Sequence, residues 1–83
     1  MKFVNDPTYK AFTETLRELR KSAGLTQTEL AEMLNKDQTY VSKYESRERR
    51  LDFIEVRAIC EVLGISIVQF EKIFEQNIKK QGS

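Results

Sequence analysis

Apolar residues return every three to four positions in five separate stretches of the chain, and each stretch is bounded by residues that start or stop helices. Asp6-Pro7, a cap followed by proline at the first helical position, opens a helix over 7–23 whose inner stripe is Phe12, Leu16, Leu19 and Ala23 and which Gly24 stops. Thr26 with Glu29 three residues on forms a capping box before Leu30, Ala31 and Leu34, predicting a helix over 27–34. Asn35 then stands where the chain must reverse, and asparagine tolerates the left-handed conformation better than other residues except glycine. Asp37 is placed to cap a helix over 38–45 with Val41 and Tyr44 inward. Asp52 is placed to cap a helix over 53–63, with Phe53, Val56, Ile59, Cys60 and Leu63 on its apolar face and Gly64 after it. Ser66 caps the last, over 67–78, and the ends of the chain, the first few residues and Lys79 to Ser83, are expected to fray. No segment alternates as a strand would, and no repeat, low-complexity tract or linker divides the chain. The pattern predicts one all-α domain, 1–83, of five helices.

The second and third helices are the pair that points to chemistry. They are short, amphipathic and joined by a turn so tight that Ala31, at their closest approach, must be small, since a leucine there would pry them apart. With Val41 and Tyr44 inward, the third helix turns Gln38, Thr39, Ser42 and Lys43 outward, as hydrogen-bonding groups with the reach to read base edges in a DNA major groove.

Charge changes that picture in one respect. The net charge of +1 is too small for a protein that grips nucleic acid by bulk charge. The distribution answers the objection, because Lys36, Lys43, Arg47, Arg49 and Arg50 gather around the third helix, whereas Glu61, Glu71 and Glu75 come later. Composition, 40% hydrophobic and 33% charged, is that of a folded soluble chain near the size where a core is adequate but thin. One cysteine and no histidine exclude an intrachain disulfide and leave no zinc cluster or histidine acid–base pair. Cys60, on an apolar helical face, reads as a small core residue, and Asp37 with Glu45 as a cap and an ion-pair member, not a catalytic pair. No enzyme, metal or cofactor is expected. With no run long enough to span a bilayer and no signal-peptide pattern, a cytoplasmic location is expected, without membrane contact.

From about Arg17 through Phe70 the chain resembles the helix-turn-helix of the Cro and phage-repressor class, the XRE family, with a five-helix lambda-repressor-like fold. The residues that carry the likeness are Gly24-Leu25-Thr26-Gln27, Leu30-Ala31, the Asn35 turn, Val41-Ser42-Lys43, Glu45 and Leu63-Gly64-Ile65-Ser66. It departs from the family in having Asn35 for the usual turn glycine and Arg47 where glycine often follows the recognition helix. Asp37-Gln38-Thr39-Tyr40-Val41-Ser42 and Arg49-Arg50-Leu51 are similar to the controller proteins of restriction–modification systems as well. The resemblance implies that Gln27 bonds a DNA phosphate and that Arg20 pairs with Glu45. Arg47, Arg49 and Arg50, flanking the recognition helix, are the further phosphate candidates. Tyr40 has two open readings, a place at the rim of the core or a contact with a sugar-phosphate strand, whereas Tyr44 belongs to the core.

The last helix carries Ile65, Ile67, Val68, Phe70, Ile73, Phe74 and Ile78, more apolar residues than one face hides on so small a domain. A homodimer through Ile67, Phe70, Ile73 and Phe74 is expected, set against a monomer whose fifth helix completes the core. Two joined modules also solve the weak binding of one, by engaging both halves of a palindromic site in double-stranded DNA. The expected function is a sequence-specific DNA-binding transcriptional regulator without a small-molecule ligand, with no second domain to receive one. The rival is an antitoxin or other interaction module whose helix 5 holds a partner protein.

Overall fold

The computed structural model describes residues 6–82, with side chains through Lys80, so the expectation for the first few residues lies outside the described ones. Five helices follow one another: α1 (Pro7–Ser22), α2 (Gln27–Met33), α3 (Tyr40–Glu45), α4 (Phe53–Leu63) and α5 (Ile67–Gly82). There is no strand among the described residues. The last helix extends to Gly82, beyond the end at 78 that the sequence predicts.

Caps written into the sequence account for most of the starts. The Asp6 carboxylate accepts the Thr8 N–H at 2.7 Å. Thr26 and Glu29 exchange both capping-box bonds, at 3.0 and 2.8 Å. Asp52 with Glu55, and Ser66 with Gln69, repeat the same reciprocal pattern. Each box satisfies two backbone donors that the first turn of a helix leaves without a partner.

The ends are equally local. After α2 the Lys36 N–H bonds the Ala31 carbonyl at 2.9 Å and the Asn35 N–H bonds Glu32 at 3.0 Å, with Asn35 at φ 60°. After α3 the same pair of bonds forms, Glu48 to Lys43 and Arg47 to Tyr44, with Arg47 at φ 70°. These are Schellman closures, whose left-handed residue is usually glycine. At Arg47 the side chain therefore carries a conformational cost of roughly 1–2 kcal/mol, because Cβ crowds the following carbonyl.

Leu16, Leu30, Ala31, Val41, Tyr44 and Ile59 have no exposed surface and knit α1, α2, α3 and α4 into one core. α1 lies along α5, where Phe12 meets Phe70 and Phe74 edge-on at 6.0 and 5.8 Å. Between the same two helices runs a buried polar contact, with Asn77 Nδ2 donating to Thr15 Oγ1 at 2.7 Å while Thr15 donates to the Ala11 carbonyl. Two expectations for the apolar stripes are corrected. Ala23 is exposed, because α1 ends at Ser22 and the chain has already turned away. Phe53 is 63% exposed, because as the first residue of α4 it projects past the end of the core.

Candidate nucleic-acid interface

α3 starts two residues later than the sequence predicts, and the reason is Asp37. Its carboxylate accepts the Thr39 N–H at 2.9 Å and the Thr39 hydroxyl at 2.7 Å, closing an Asx turn. The Tyr40 N–H then bonds the Asp37 carbonyl at 2.9 Å, so Gln38 and Thr39 form a turn that feeds α3. The Thr39 N–H, then its hydroxyl, hold the Asp37 carboxyl below its ordinary value. Asp37 thus caps the turn, and Thr39 stands at the N-cap position of α3 without a side-chain capping bond.

That turn and α3 present a divided surface. Val41 and Tyr44 have no exposure, while Gln38, Thr39 and Lys43 are exposed and Ser42 is half-buried, its hydroxyl donating to the Thr39 carbonyl at 3.0 Å. Tyr40 is buried at the rim of the core. Its ring meets that of Tyr44 edge-on at 5.5 Å and its hydroxyl donates to Glu55 Oε2 at 3.0 Å. Burial first, and then the Glu55 bond, push that hydroxyl up to about 12. Of the two readings open for Tyr40, the side chain occupies the core one. Lys36 and Arg49 both lie over its ring, 5.0 Å from the centroid in the case of Arg49 Cζ and 5.5 Å for Lys36 Nζ.

The basic residues beyond α3 do not act alike. Arg50 is exposed. Arg49 is partly exposed, with Nη1 2.8 Å from Glu55 Oε2 and 3.0 Å from the Arg50 carbonyl. Arg47 instead turns back toward α1, where Nη1 reaches Thr13 Oγ1 at 3.5 Å and Nε is buried without a hydrogen-bond partner among the described residues.

Beneath the far end of α3, Arg20 Nε and Nη2 donate to the two oxygens of Glu45 at 2.7 and 3.1 Å. Gln27 Nε2 donates to Glu45 Oε1 at 2.9 Å, so the first residue of α2 is tied to the last of α3. Gln27 remains half-buried at the mouth of a polar cleft shared with Arg17, Thr26, Ser42 and Ser46.

The apolar residues expected to face a second subunit divide as well. Phe70 is only 4% exposed and belongs to the core, because α5 rolls it against Phe12; Ile67, Ile73 and Phe74 are half-buried. The exposed apolar residues in this region are Phe53, Ile54 and Val68. Phe53 and Val68 border a groove of about 520 Å³ between the starts of α4 and α5, floored by Phe12, Val56, Phe70 and Phe74. Sequence reasoning missed Phe53 and Ile54 as surface residues and missed Glu55 altogether. The Asp52-x-x-Glu55 spacing is the signal that would have found Glu55.

No helix among the described residues is long and apolar enough to cross a membrane, and no cluster of metal-ligating side chains occurs among them. The helix-turn-helix family HTH_3 matches residues 16–70. A comparison with curated proteins finds no match. Among solved structures, the chain is similar to an XRE-family like protein from Pseudomonas syringae pv. tomato str. DC3000, at 39% identity over 90% of this chain and 92% of that one, with a TM-score of 0.79. It is also similar to the wild-type restriction–modification controller protein C.Esp1396I, at 28% identity over 90% and 97% of the two chains, with a TM-score of 0.83. A Schellman turn between two short helices, a reader face over a buried one and a family match across most of the chain converge: it belongs to the XRE class of helix-turn-helix proteins and is a DNA-binding transcription regulator.

Proposed function

We propose that the chain is a sequence-specific regulator that acts as a homodimer on an inverted-repeat operator, with α3 in the major groove. The observation that carries this reading is the two-sidedness of α3 and the turn that feeds it: Val41 and Tyr44 without exposure on one side, Gln38, Thr39 and Lys43 open on the other. A helix anchored so firmly presents its polar side in a fixed orientation, which base readout requires. Gln38 matches adenine, to which its amide can donate and accept at once, and Lys43 matches the acceptors of guanine. Thr39 and Ser42 supply hydroxyls between them. Gln27, Arg49 and Arg50 flank this face and hold the backbone phosphates. Arg47 joins them only by releasing its contact with Thr13.

The dimer reading draws on the apolar surface around Phe53, Ile54 and Val68, with Ile67, Ile73 and Phe74 partly open beside it. A second copy burying that surface would link two readers about 34 Å apart on one side of the duplex. The same groove gives the rival reading its support, since a different protein could fill it; co-purification of a second polypeptide would favour that rival. Selection of bound sequences from random duplex DNA tests the main proposal. Enrichment of an inverted repeat is the expected result, and recovery of no preferred sequence would overturn it.

A further inference from the structure

Glu55 sits at a junction that helix capping does not explain. One oxygen, Oε1, accepts the Asp52 N–H at 3.0 Å as a capping box requires. The other, Oε2, accepts the Tyr40 hydroxyl at 3.0 Å and lies 2.8 Å from Arg49 Nη1. The Arg49 guanidinium therefore has one corner held by a carboxylate and by the Arg50 carbonyl, and its Cζ over the Tyr40 ring, 5.0 Å from the centroid. Both polar contacts leave from Nη1, and 42% of the side chain remains exposed.

We propose that Glu55 and Tyr40 are positioning residues that hold Arg49 with its remaining guanidinium edge, Nε and Nη2, presented to a DNA phosphate. This rests on the reading of Arg49 as a phosphate contact. A guanidinium has five N–H donors in a planar fork, so spending one corner on Glu55 leaves a side-on pair that matches two phosphate oxygens. The aromatic platform fixes the plane and the carboxylate fixes rotation within it. An arginine so restrained loses less side-chain freedom when it meets its anion than one waving in water. The alternative is that Glu55 competes with phosphate for Arg49. The geometry favours positioning: the carboxylate is already pinned by Asp52 and Tyr40, and it occupies a corner and not the outer edge.

The two mechanisms predict opposite signs. Glu55→Ala removes a negative charge, which by itself strengthens DNA binding. Positioning predicts the reverse, a loss of roughly two- to tenfold on any duplex, the worth of one immobilised flexible side chain. Glu55→Gln has the same charge as Glu55→Ala but keeps an acceptor for Tyr40 and Arg49, so it should bind more tightly than Glu55→Ala by most of that factor. In an Arg49→Ala background the two Glu55 variants should bind alike. Fluorescence anisotropy with a duplex of fixed length, at a temperature where circular dichroism shows each variant folded, reads all of these. Equal binding by the Ala and Gln variants with Arg49 present, or an equal difference with and without it, overturns the proposal. Should Glu55→Ala fail to fold, Tyr40→Phe, which keeps the ring and loses the Glu55 bond, must weaken binding only when Arg49 is present. If Arg49→Ala alone leaves affinity and salt dependence unchanged, the clamp reading of Arg49 fails first and the positioning role falls with it.

Discussion

Arg20 on α1 and Glu45 at the end of α3 meet through two hydrogen bonds, 2.7 and 3.1 Å, with side chains only 8% and 4% exposed. Arg20 Nη1 donates as well to the Leu25 carbonyl at 2.7 Å, and Gln27 adds a third donor to Glu45. The pair thus fastens three elements, α1, the start of α2 and the end of α3, at the point where the reader helix would otherwise be free to tilt.

A pair buried so deeply is weak evidence of net stability, yet removing one member leaves the other's charge desolvated and alone. Glu45→Gln should therefore lower the unfolding free energy by about 3–5 kcal/mol. Urea denaturation at neutral pH measures it. A variant that unfolds at the parent's midpoint would mean that water enters the cleft and screens the pair.

Base readout and phosphate contact separate by their dependence on sequence. Gln38→Ala should cost roughly 1–3 kcal/mol on the preferred site and little on random duplex. Arg50→Ala should weaken all sequences alike and flatten the slope of log affinity against log salt by about one unit. A Gln38 effect of equal size on both kinds of DNA would take it out of the reading set, and an unchanged salt slope would take Arg50 out of the clamp.

At Arg47 the backbone and the side chain pull in different directions. The left-handed φ of 70° favours glycine, whereas the guanidinium supplies the contact with Thr13. Arg47→Ala loses the contact and keeps the crowding; Arg47→Gly loses both. The glycine variant should be the more stable of the two by roughly 1–2 kcal/mol. Thermal melts of the pair decide it, and an alanine variant at least as stable as the glycine one would show that the loop relaxes to another path.

These contrasts mark what was legible in the sequence. Thr26 with Glu29, Asp52, Ser66 and the Asn35 reversal are interactions between residues three to five apart, and local spacing declares them. Asp37 misled by the same logic, because an aspartate can cap a helix or close an Asx turn with the residue two ahead, and only the path into α3 chooses between them. Arg47 turning inward depends on Thr13, 34 positions away, and Phe70 going to the core while Phe53 stays out depends on how α5 rolls along α1. Thr15, a polar residue among the apolar ones of α1, was the visible sign of that roll, since it is where Asn77 docks. Glu55 went unread because one spacing serves two roles, capping α4 and gripping Tyr40 and Arg49.

Titration reaches the reader turn directly. Asp37 is held below its ordinary value by the Thr39 N–H and hydroxyl. For Glu55 burial pushes upward, but the Asp52 N–H, the Tyr40 hydroxyl and Arg49 outweigh it and the carboxyl is lowered. A carboxyl lowered by folding contributes stability above its unfolded value, and that contribution is lost as pH falls through the folded one. Stability should therefore fall from about pH 4.5 downward, opposed in part by Glu71, which its hydrogen bond to Glu75 raises. Tyr40 has the opposite sense: pushed up to about 12 by burial and Glu55, it favours the neutral form, so stability erodes above about pH 10. Urea midpoints from pH 3 to 7 test the acid limb. Asp37→Asn with Glu55→Gln should flatten it, and an acid limb as steep as the parent's would assign it to other carboxyls.

The dimer prediction turns on residues whose exposure is known. Phe53 and Val68 are 63% and 60% exposed, so Phe53→Glu and Val68→Glu disturb little inside one subunit, whereas charging Phe70 would unfold it. If the groove between α4 and α5 is the meeting surface, each substitution should give a folded monomer that still prefers the same half-site. Affinity for the full inverted repeat should fall by roughly 10²–10⁴-fold, because what is lost is the linkage of two readers and not the chemistry of either. Sedimentation equilibrium at roughly tens of micromolar, free and with duplex DNA, separates the cases. A parent chain that is monomeric in both would sink the dimer. A parent dimer that survives both substitutions would move the interface elsewhere, with the half-site geometry then set by a surface other than this groove.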